Sequence, residues 1–252
     1  MTEPQNSDQP APPPVSHWIP PDTKPATIQP PRSAKLRSWL AIFGFLLTGF
    51  FGFLAGVQDL LGLDVFARAF DGTLTLEESN AFDSTMATLG TLQLVAIVVW
   101  FITFLAWQSR SVDNVPGLGG GTPVVTPGWS IAWWFIPIAN IIQPYRIVSD
   151  LYRRMGPAGV GAAIVLVWWL LWIVTNVISL VASSAYGTAQ DLAAYQSGLT
   201  LWALSDFGDA VVAVIGILMI LRIQGWADAR QSGQMTSPDP EPEAVSAPAS
   251  PT

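Results

Sequence analysis

Residues 40–57 read LAIFGFLLTGFFGFLAGV, an apolar stretch that contains no charged side chain. A helix needs roughly 20 such residues to cross the hydrocarbon core of a bilayer, which is about 30 Å thick. Three further apolar stretches of about this length follow, and the four occupy residues 40–57, 86–107, 158–182 and 200–221; only the last contains charged residues, Asp206 and Asp209. The sequence therefore predicts an all-α membrane protein, a bundle of four transmembrane helices that crosses the bilayer several times.

The composition of the whole chain agrees with this prediction. Hydrophobic residues make up 50% of it and charged residues only 12%, and the mean hydropathy is +0.41. Such a balance is typical of a protein much of whose surface faces lipid. The net charge of -7 is spread over both termini and one loop, so it indicates no single docking surface.

Several kinds of chemistry are excluded by residue type. The chain has no cysteine, and its one histidine, His17, lies in a Pro-rich tail. The glycines Gly117, Gly119, Gly120 and Gly121 are not followed by the Gly-Lys-Ser/Thr of a phosphate loop. We find no catalytic signature, and we expect no enzyme activity, no metal, no cofactor and no nucleic-acid partner.

The basic residues indicate the orientation in the membrane. With both termini and the loop between the second and third stretches in the cytoplasm, only Arg68 lies outside, as the positive-inside rule requires. The basic residues on the cytoplasmic side are Lys24, Arg32, Lys35, Arg37, Arg110, Arg146, Arg153, Arg154, Arg222 and Arg230. The outer loop between the first two stretches is instead acidic, and it carries Asp59, Asp64, Asp71, Glu77, Glu78 and Asp83.

Both ends of the chain have low-complexity sequences. Residues 1–36 are Pro-rich, and residues 232–252 repeat proline, serine, alanine and acid, so we expect two disordered cytoplasmic tails around one domain at residues 37–231. The Pro clusters at residues 11–15 and 29–32 favour solvated tethers, with docking to a polyproline-binding partner as the alternative.

The first apolar stretch carries small side chains at every fourth position, namely Gly44, Thr48, Gly52 and Gly56. Such a ridge allows another helix to approach closely. We favour a contact inside the bundle, and a contact between two copies of the chain is the alternative. Ahead of the second stretch, Thr75 and Glu78 have the spacing of a capping box, which predicts the start of a helix that runs on into that stretch.

Residues 129–142 are almost wholly apolar but too short to cross a bilayer, and Pro137 would interrupt their helix. We expect a re-entrant or interfacial segment, reaching to residue 155, with both ends in the cytoplasm. Its last part places Ile147, Val148, Leu151, Tyr152 and Met155 on one helical face. We expect this face to lie along the inner headgroups.

The motifs around this segment resemble those of the DUF4328 family, a group of bacterial, mostly actinobacterial, membrane proteins without an established activity. The matching residues are Trp107 and Arg110, Gly128 and Trp129, the run Trp134-Phe-Ile-Pro137-Ile-Ala-Asn140, Pro144 and Tyr145, and the pair Trp168 and Trp169. The resemblance implies several membrane helices, and we expect the protein in a bacterial cell membrane.

Polar side chains at membrane depth are the candidate functional residues, because burying them without a purpose is costly. They are Gln93, Asn140, Asn176, Asp206 and Asp209. Each also has a structural explanation, such as a hydrogen bond between helices or a helix cap.

Two classes of function fit the sequence. We favour a non-catalytic membrane scaffold or regulatory protein that interacts with membrane or cytoplasmic proteins. The alternative is a small transporter or channel with a polar path lined by Asp206, Asp209, Asn176 and Asn140. Under either function, the protein lies in the lipid bilayer, which is its partner.

Because the chain has no cysteine, single introduced cysteines can report the topology. Cysteines at Ser79 and Gln190 are expected to react with an impermeant thiol reagent added to intact cells. Cysteines at Thr122 and Ser232 are expected to react only after the cells are opened. Labelling of Thr122→Cys from outside would contradict the predicted topology.

Overall fold

The computed structural model describes residues 29–235. Over this range the chain forms six α-helices and one 3-10 turn, and no strand. They are α1 (Lys35–Phe70), α2 (Leu76–Asn114), the 3-10 turn (Pro116–Leu118), α3 (Pro127–Ala132), α4 (Ala139–Met155), α5 (Ala163–Gly187) and α6 (Leu192–Gln231). Helices α1, α2, α5 and α6 are long and apolar enough to cross a membrane, so the predicted fold is confirmed.

Three of these helices are much longer than the bilayer core is thick. With 36, 39 and 40 residues, α1, α2 and α6 span about 54 to 60 Å at 1.5 Å per residue. The bundle therefore has two projecting ends. We call the end with the first and last described residues the terminal end, and the end with the turns after α1 and after α5 the distal end.

The first part of the predicted acidic loop belongs to α1, which corrects the sequence analysis. Asp59 and Asp64 belong to α1, and Glu77, Glu78 and Asp83 belong to α2, so the connection is only residues 71–75. Charged residues end the apolar stretch, but the helix continues, because oppositely charged side chains can pair with one another. Here Arg68 forms ion pairs with Asp64, at 3.0 Å, and with Glu78, at 2.7 Å.

The capping box at the start of α2 is confirmed. The Thr75 hydroxyl accepts a hydrogen bond from the backbone N–H of Glu78, at 3.2 Å. The Glu78 carboxylate accepts one from the backbone N–H of Thr75, at 2.9 Å. These reciprocal bonds satisfy backbone donors that the first turn of a helix leaves free.

Small residues bring α1 into close contact with its neighbours. A Cβ atom on Gly44 would lie 2.7 Å from the Cα atom of Trp100 in α2. A Cβ on Gly52 would lie 3.2 Å from the carbonyl oxygen of Asp206 in α6, and one on Gly56 would lie 3.1 Å from the ring of Phe207. These glycines pack against α2 and α6 of the same chain. Two copies of the chain would contact each other through them only if α1 separated from these helices.

The four long helices stand in the order α2, α1, α6, α5. Helix α1 packs along both α2 and α6, and α6 packs along α5. Among the described residues, α2 and α5 have no extensive contact with each other. The bundle is therefore a curved row of helices, with a gap between its first and last members.

Aromatic side chains fill this row at two levels. The proximal aromatic cluster, nearer the terminal end, consists of Phe45, Trp100, Phe104, Trp107, Trp134 and Trp168, with neighbouring ring centroids 5.4 to 6.4 Å apart. The distal aromatic cluster consists of Phe66, Phe82, Tyr186, Tyr195 and Trp202. Between the two clusters, the packing includes polar side chains, among them Gln93 and Asp206, which are joined by a hydrogen bond.

Helix α4 lies across the terminal end, and its apolar face is not where the sequence analysis expected it. Ile147, Val148, Leu151, Tyr152 and Met155 are buried inside the protein, not laid against headgroups. An amphipathic face shows that something apolar covers it, but it does not distinguish lipid from protein.

The terminal end is held together by arginine bonds to backbone oxygens. The guanidinium of Arg230 donates to the carbonyls of Leu118, Met155 and Gly156, at 3.1 to 3.2 Å. The Arg154 guanidinium donates to the carbonyl of Gly120 at 3.0 Å. These bonds tie the loop after α2 to α4 and α6.

The chain ahead of α1 is also fixed at this end. The backbone N–H of Arg32 donates to Oδ1 of Asn114 at 2.9 Å, and Nδ2 of Asn114 donates to the carbonyl of Arg32 at 2.7 Å. The last residues of the predicted N-terminal tail thus form part of the domain. The Pro cluster at residues 11–15 and most of the C-terminal tail lie outside the described residues.

We expect Gly44→Ala to destabilise the protein, because the added methyl group would meet the backbone of α2. Overpacking of this kind costs about 1–3 kcal/mol. Gly225→Ala is the control, since nothing lies within 4 Å of its added Cβ and alanine favours a helix. The measurement is thermal unfolding of both variants in one detergent. Equal unfolding temperatures for Gly44→Ala and the wild type would contradict the described contact between α1 and α2.

Candidate functional site: an acidic cleft between α2 and α5

Two carboxyl groups from different helices meet between the aromatic clusters. Asp59 projects from α1, where the residue is only 3% exposed, and its carboxyl faces that of Asp206 on α6. Nε2 of Gln93 on α2 donates to Oδ1 of Asp206 at 2.9 Å. Oδ2 of Asp59 has no hydrogen-bond partner among the described residues. Three helices therefore contribute to one buried polar group.

A third carboxyl lies one helical turn further along α6. Asp209 follows Asp206 by three residues, on the same face of the helix. The Thr175 hydroxyl of α5 is within hydrogen-bonding reach of its carboxyl. The neighbouring Asn176 donates from Nδ2 to the carbonyl of Trp172 at 2.7 Å, so its amide oxygen stays available.

These side chains line two adjoining cavities in the gap between α2 and α5. The outer cavity has a volume of about 380 Å³, and Asp59, Asp206, Met86 and Trp202 are among its walls. The inner cavity measures about 170 Å³ and is walled by apolar and aromatic residues that include Phe45, Trp100 and Trp172. Both cavities share Gln93, Ile97, Asn176 and Asp209. We call the two together the acidic cleft.

The cleft opens sideways, toward the surface that faces lipid in a membrane. On its α2 rim Ile97 is 45% exposed, and on the α5 side Val177 is 55% exposed. Toward the distal end, Tyr186 packs on Trp202 with ring centroids 4.7 Å apart. A molecule could therefore enter between α2 and α5 from the bilayer.

On the proximal side the gap is closed by Trp134, together with a direct contact of Phe104 in α2 with Trp168 in α5, at 5.8 Å between ring centroids. Trp134 contacts Phe101 and Phe104 of α2, at 5.8 and 5.6 Å between ring centroids. It contacts Trp169 and Trp172 of α5, at 5.9 and 6.5 Å. Trp134 thus acts as a wedge between two helices that do not otherwise touch extensively.

The segment that carries Trp134 enters the bundle and returns to the same end. Its first residues follow α2, because Ser109 donates to the carbonyl of Pro127 and Gln108 to that of Ser130, at 3.1 and 2.7 Å. The next residues reach Phe101, about 12 Å further along α2 at 1.5 Å per residue. The chain then reverses at residues 135–138 into α4.

The reversal includes a strained residue. Ile138 has φ of +67°, a conformation that side chains branched at Cβ rarely adopt. It follows Pro137, whose ring prevents a continuous helix. Beyond it, the indole N–H of Trp169 donates to the carbonyl of Ile141 at 2.9 Å and holds the returning chain against α5.

The structure separates the candidate residues of the sequence analysis into two groups. Gln93, Asn176, Asp206 and Asp209 come together in the cleft. Asn140 lines neither cavity, so the cavities do not form the predicted path, which includes Asn140. The motif residues Trp107, Arg110, Trp129, Trp134, Pro137, Pro144 and Tyr145 also lie outside the cavity walls. Several of them shape or contact the segment that supports Trp134.

The sequence analysis places Asp59 in the outer loop, because it follows the apolar stretch, and the structure adds it to the site. A signal was present in the sequence. Asp59 follows Gly52 by seven residues and Gly56 by three, so a continued helix places it on the face that packs against α6. Within residues 29–235, no three side chains of His, Cys, Asp or Glu lie close enough together to hold a metal ion.

The fold and the cleft define a class of protein, an α-helical membrane protein with four long helices and a polar site among them. The domain of unknown function DUF4328 matches residues 71–225, which is more than half of the chain. The chain belongs to the DUF4328 family. The match includes Gln93, Asp206 and Asp209 and begins after α1, so it leaves out Asp59. No curated protein and no solved structure matches the chain.

Proposed function

We propose that the protein is a small, non-catalytic transporter of a bacterial cell membrane that takes up a positively charged solute in the acidic cleft. One observation carries the proposal. Asp59, Asp206 and Asp209 converge from two helices on a cavity that Gln93 and Asn176 also line. Ionisable groups at membrane depth are costly, and they are a common feature of solute and ion pathways.

The orientation of the bundle supports this function. We place the terminal end in the cytoplasm, because the basic side chains at that end include Arg37, Arg146 and Arg222, whereas Arg68 lies at the distal end. The cleft then lies in the outer half of the membrane, and the proximal aromatic cluster closes its cytoplasmic side. This arrangement supports the uptake of a solute from the outer half of the bilayer, toward which the cleft opens.

We also propose that residues 127–142 form a re-entrant segment in the bilayer. Both ends of the segment lie at the terminal end, and large side chains on its outer surface, such as Phe135 and Ile142, are 65% and 56% exposed. The segment positions the Trp134 wedge. Movement of this wedge would open the cleft toward the cytoplasm, with the strained turn at Ile138 as the pivot.

The sequence alone favours a scaffold or regulatory protein, and two observations support transport instead. The sequence offered two intramembrane acids, and the structure adds Asp59 as a third. The small-residue ridge of α1, which could have received a partner, is largely occupied by α2 and α6. Binding of membrane or cytoplasmic proteins through the tails would be compatible with transport.

The test replaces Asp206 and Asp209 together by asparagine, which keeps their size and removes their charge. The double variant is expressed in a strain that shows a phenotype when the gene is deleted. We expect normal amounts of protein in the membrane and a loss of function of about tenfold or more, since a buried charge interaction is lost.

The control for this test is Asp83→Asn, which removes one exposed acid from the distal part of α2. We expect this variant to restore the phenotype fully. If the double variant restores it as well as the wild type does, transport through the cleft is contradicted and the scaffold function is favoured.

A further inference from the structure

The acidic cleft contains negative charge that no basic side chain balances. Among the described residues that line its two cavities there is no lysine, arginine or histidine. The Asp59 and Asp206 carboxyls face each other closely enough to form a hydrogen bond, which requires that one of them holds a proton. When both are ionised, Oδ2 of Asp59 has neither a donor nor a positive partner in the described chain. A bound cation would supply the missing charge.

The walls of the cleft indicate what kind of cation fits. The described residues offer no group of three metal-ligating side chains. Instead, the outer cavity has the face of Trp202, and the inner cavity has Phe45, Trp100 and Trp172. Aromatic faces attract organic cations and also accept apolar groups. Volumes of about 380 and 170 Å³ are suited to a small molecule, not to a bare ion.

Trp100 is a further residue that lines the inner cavity. It is only 8% exposed, and its indole N–H is buried without a hydrogen-bond partner among the described residues. Three other tryptophans of the proximal aromatic cluster also have unpaired indole N–H groups, but only Trp100 among these four lines the cleft. Because its N–H is buried, Trp100 offers a bound molecule its ring and not its donor.

The route into the cleft restricts the ligand further. The opening lies between α2 and α5, where the rim side chains are apolar and face lipid. At the distal end, α1, α5 and α6 are joined by ring contacts among Phe66, Tyr186 and Tyr195. A ligand that arrives through the bilayer must itself dissolve in the bilayer.

We propose that the acidic cleft binds a lipophilic organic cation, an amine that is positively charged and carries an apolar ring or chain. The charged nitrogen lies against Asp59 and Asp206, and the apolar part lies in the inner cavity between Trp100 and Trp172. This inference rests on the proposed function, since it names the class of solute that the same site takes up.

The experiment measures binding of 2-phenylethylamine to the full-length protein in phosphatidylcholine nanodiscs, by titration calorimetry near neutral pH. Two probes separate the parts of the ligand. Ethylamine has the charge without the ring, and 2-phenylethanol has the ring without the charge. We expect 2-phenylethylamine to bind and each of the other two to bind at least about tenfold more weakly.

Three variants test the residues. Asp59→Asn is expected to weaken the binding of 2-phenylethylamine by about thirtyfold or more, which corresponds to the loss of one partner of a buried charge pair. Asp83→Asn, the exposed acid, should leave it unchanged. Gly90→Leu should abolish binding without loss of thermal stability, because Gly90 lines the outer cavity and an added Cβ meets nothing within 4 Å.

The inference is overturned if 2-phenylethylamine does not bind, if 2-phenylethanol binds equally well, or if neither Asp59→Asn nor Gly90→Leu changes its affinity. Equal binding of ethylamine would also overturn it, because the site would then select charge alone. If Asp59→Asn fails to fold, the affinity of the Gly90→Leu variant still tests the site.

The two proposals fail in different ways. If 2-phenylethylamine does not bind but the double variant of Asp206 and Asp209 loses function, transport stands and the class of solute is wrong. If it binds and the double variant still restores the phenotype, the ligand class stands and transport is contradicted.

Discussion

The close approach of α1 to α6 determines the arrangement of the rest of the protein. Gly49, Gly52 and Gly56 contribute no side chain of α1 to this contact, and an added Cβ at Gly49 would lie 3.0 Å from that of Ala213. Helices in lipid are held together by this kind of packing, because lipid provides no hydrophobic force between them. One turn beyond the last of these glycines, the same face of α1 carries Asp59 toward Asp206. The close packing thus creates a contact between two acids, which is costly when both are ionised unless a positive group binds there.

The outer members of the row are arranged around this pair. Helix α2 packs on α1 and α5 packs on α6, so the gap between α2 and α5 lies over the acidic side chains. Trp134 fills the gap on the proximal side, and the described residues leave it open beside Asp209 and Asn176. One wedge and one opening account for a cavity that is closed toward the terminal end and open toward lipid.

Much of the fold could be predicted from the sequence. The four membrane helices, the capping box at Thr75 and the apolar face of α4 follow from hydropathy and periodicity, which are local properties of the chain. The covering of the α4 face by protein and the continuation of α1 beyond residue 57 could not be read in this way. Both depend on contacts with other helices. Arg230 of α6 donates to the carbonyl of Met155 at the end of α4, and Glu78 of α2 pairs with Arg68 near the end of α1.

The candidate site was predicted in part, for the same physical reason. Asp206 and Asp209 were conspicuous because they interrupt an apolar stretch, and Gln93 and Asn176 because they are polar at membrane depth. Asp59 stands two residues beyond an apolar stretch, where acids are common, and only its helical register linked it to the glycines before it. Asn140 was grouped with the site by depth alone, although the reversal at Ile138 places it away from the cavity walls.

The convergence of α1 and α6 at the acids is the central claim, and crosslinking tests it most directly. Cysteines replace Asp59 and Asp206 in the chain, which has none of its own, and a protease site is placed in the loop at residues 119–126. A short bifunctional thiol reagent is then applied to the protein in membranes, and the chain is cleaved. If the two carboxyl groups face each other, the fragments stay joined for this pair and separate for a pair at positions 83 and 206. Fragments that separate equally for both pairs would contradict the account.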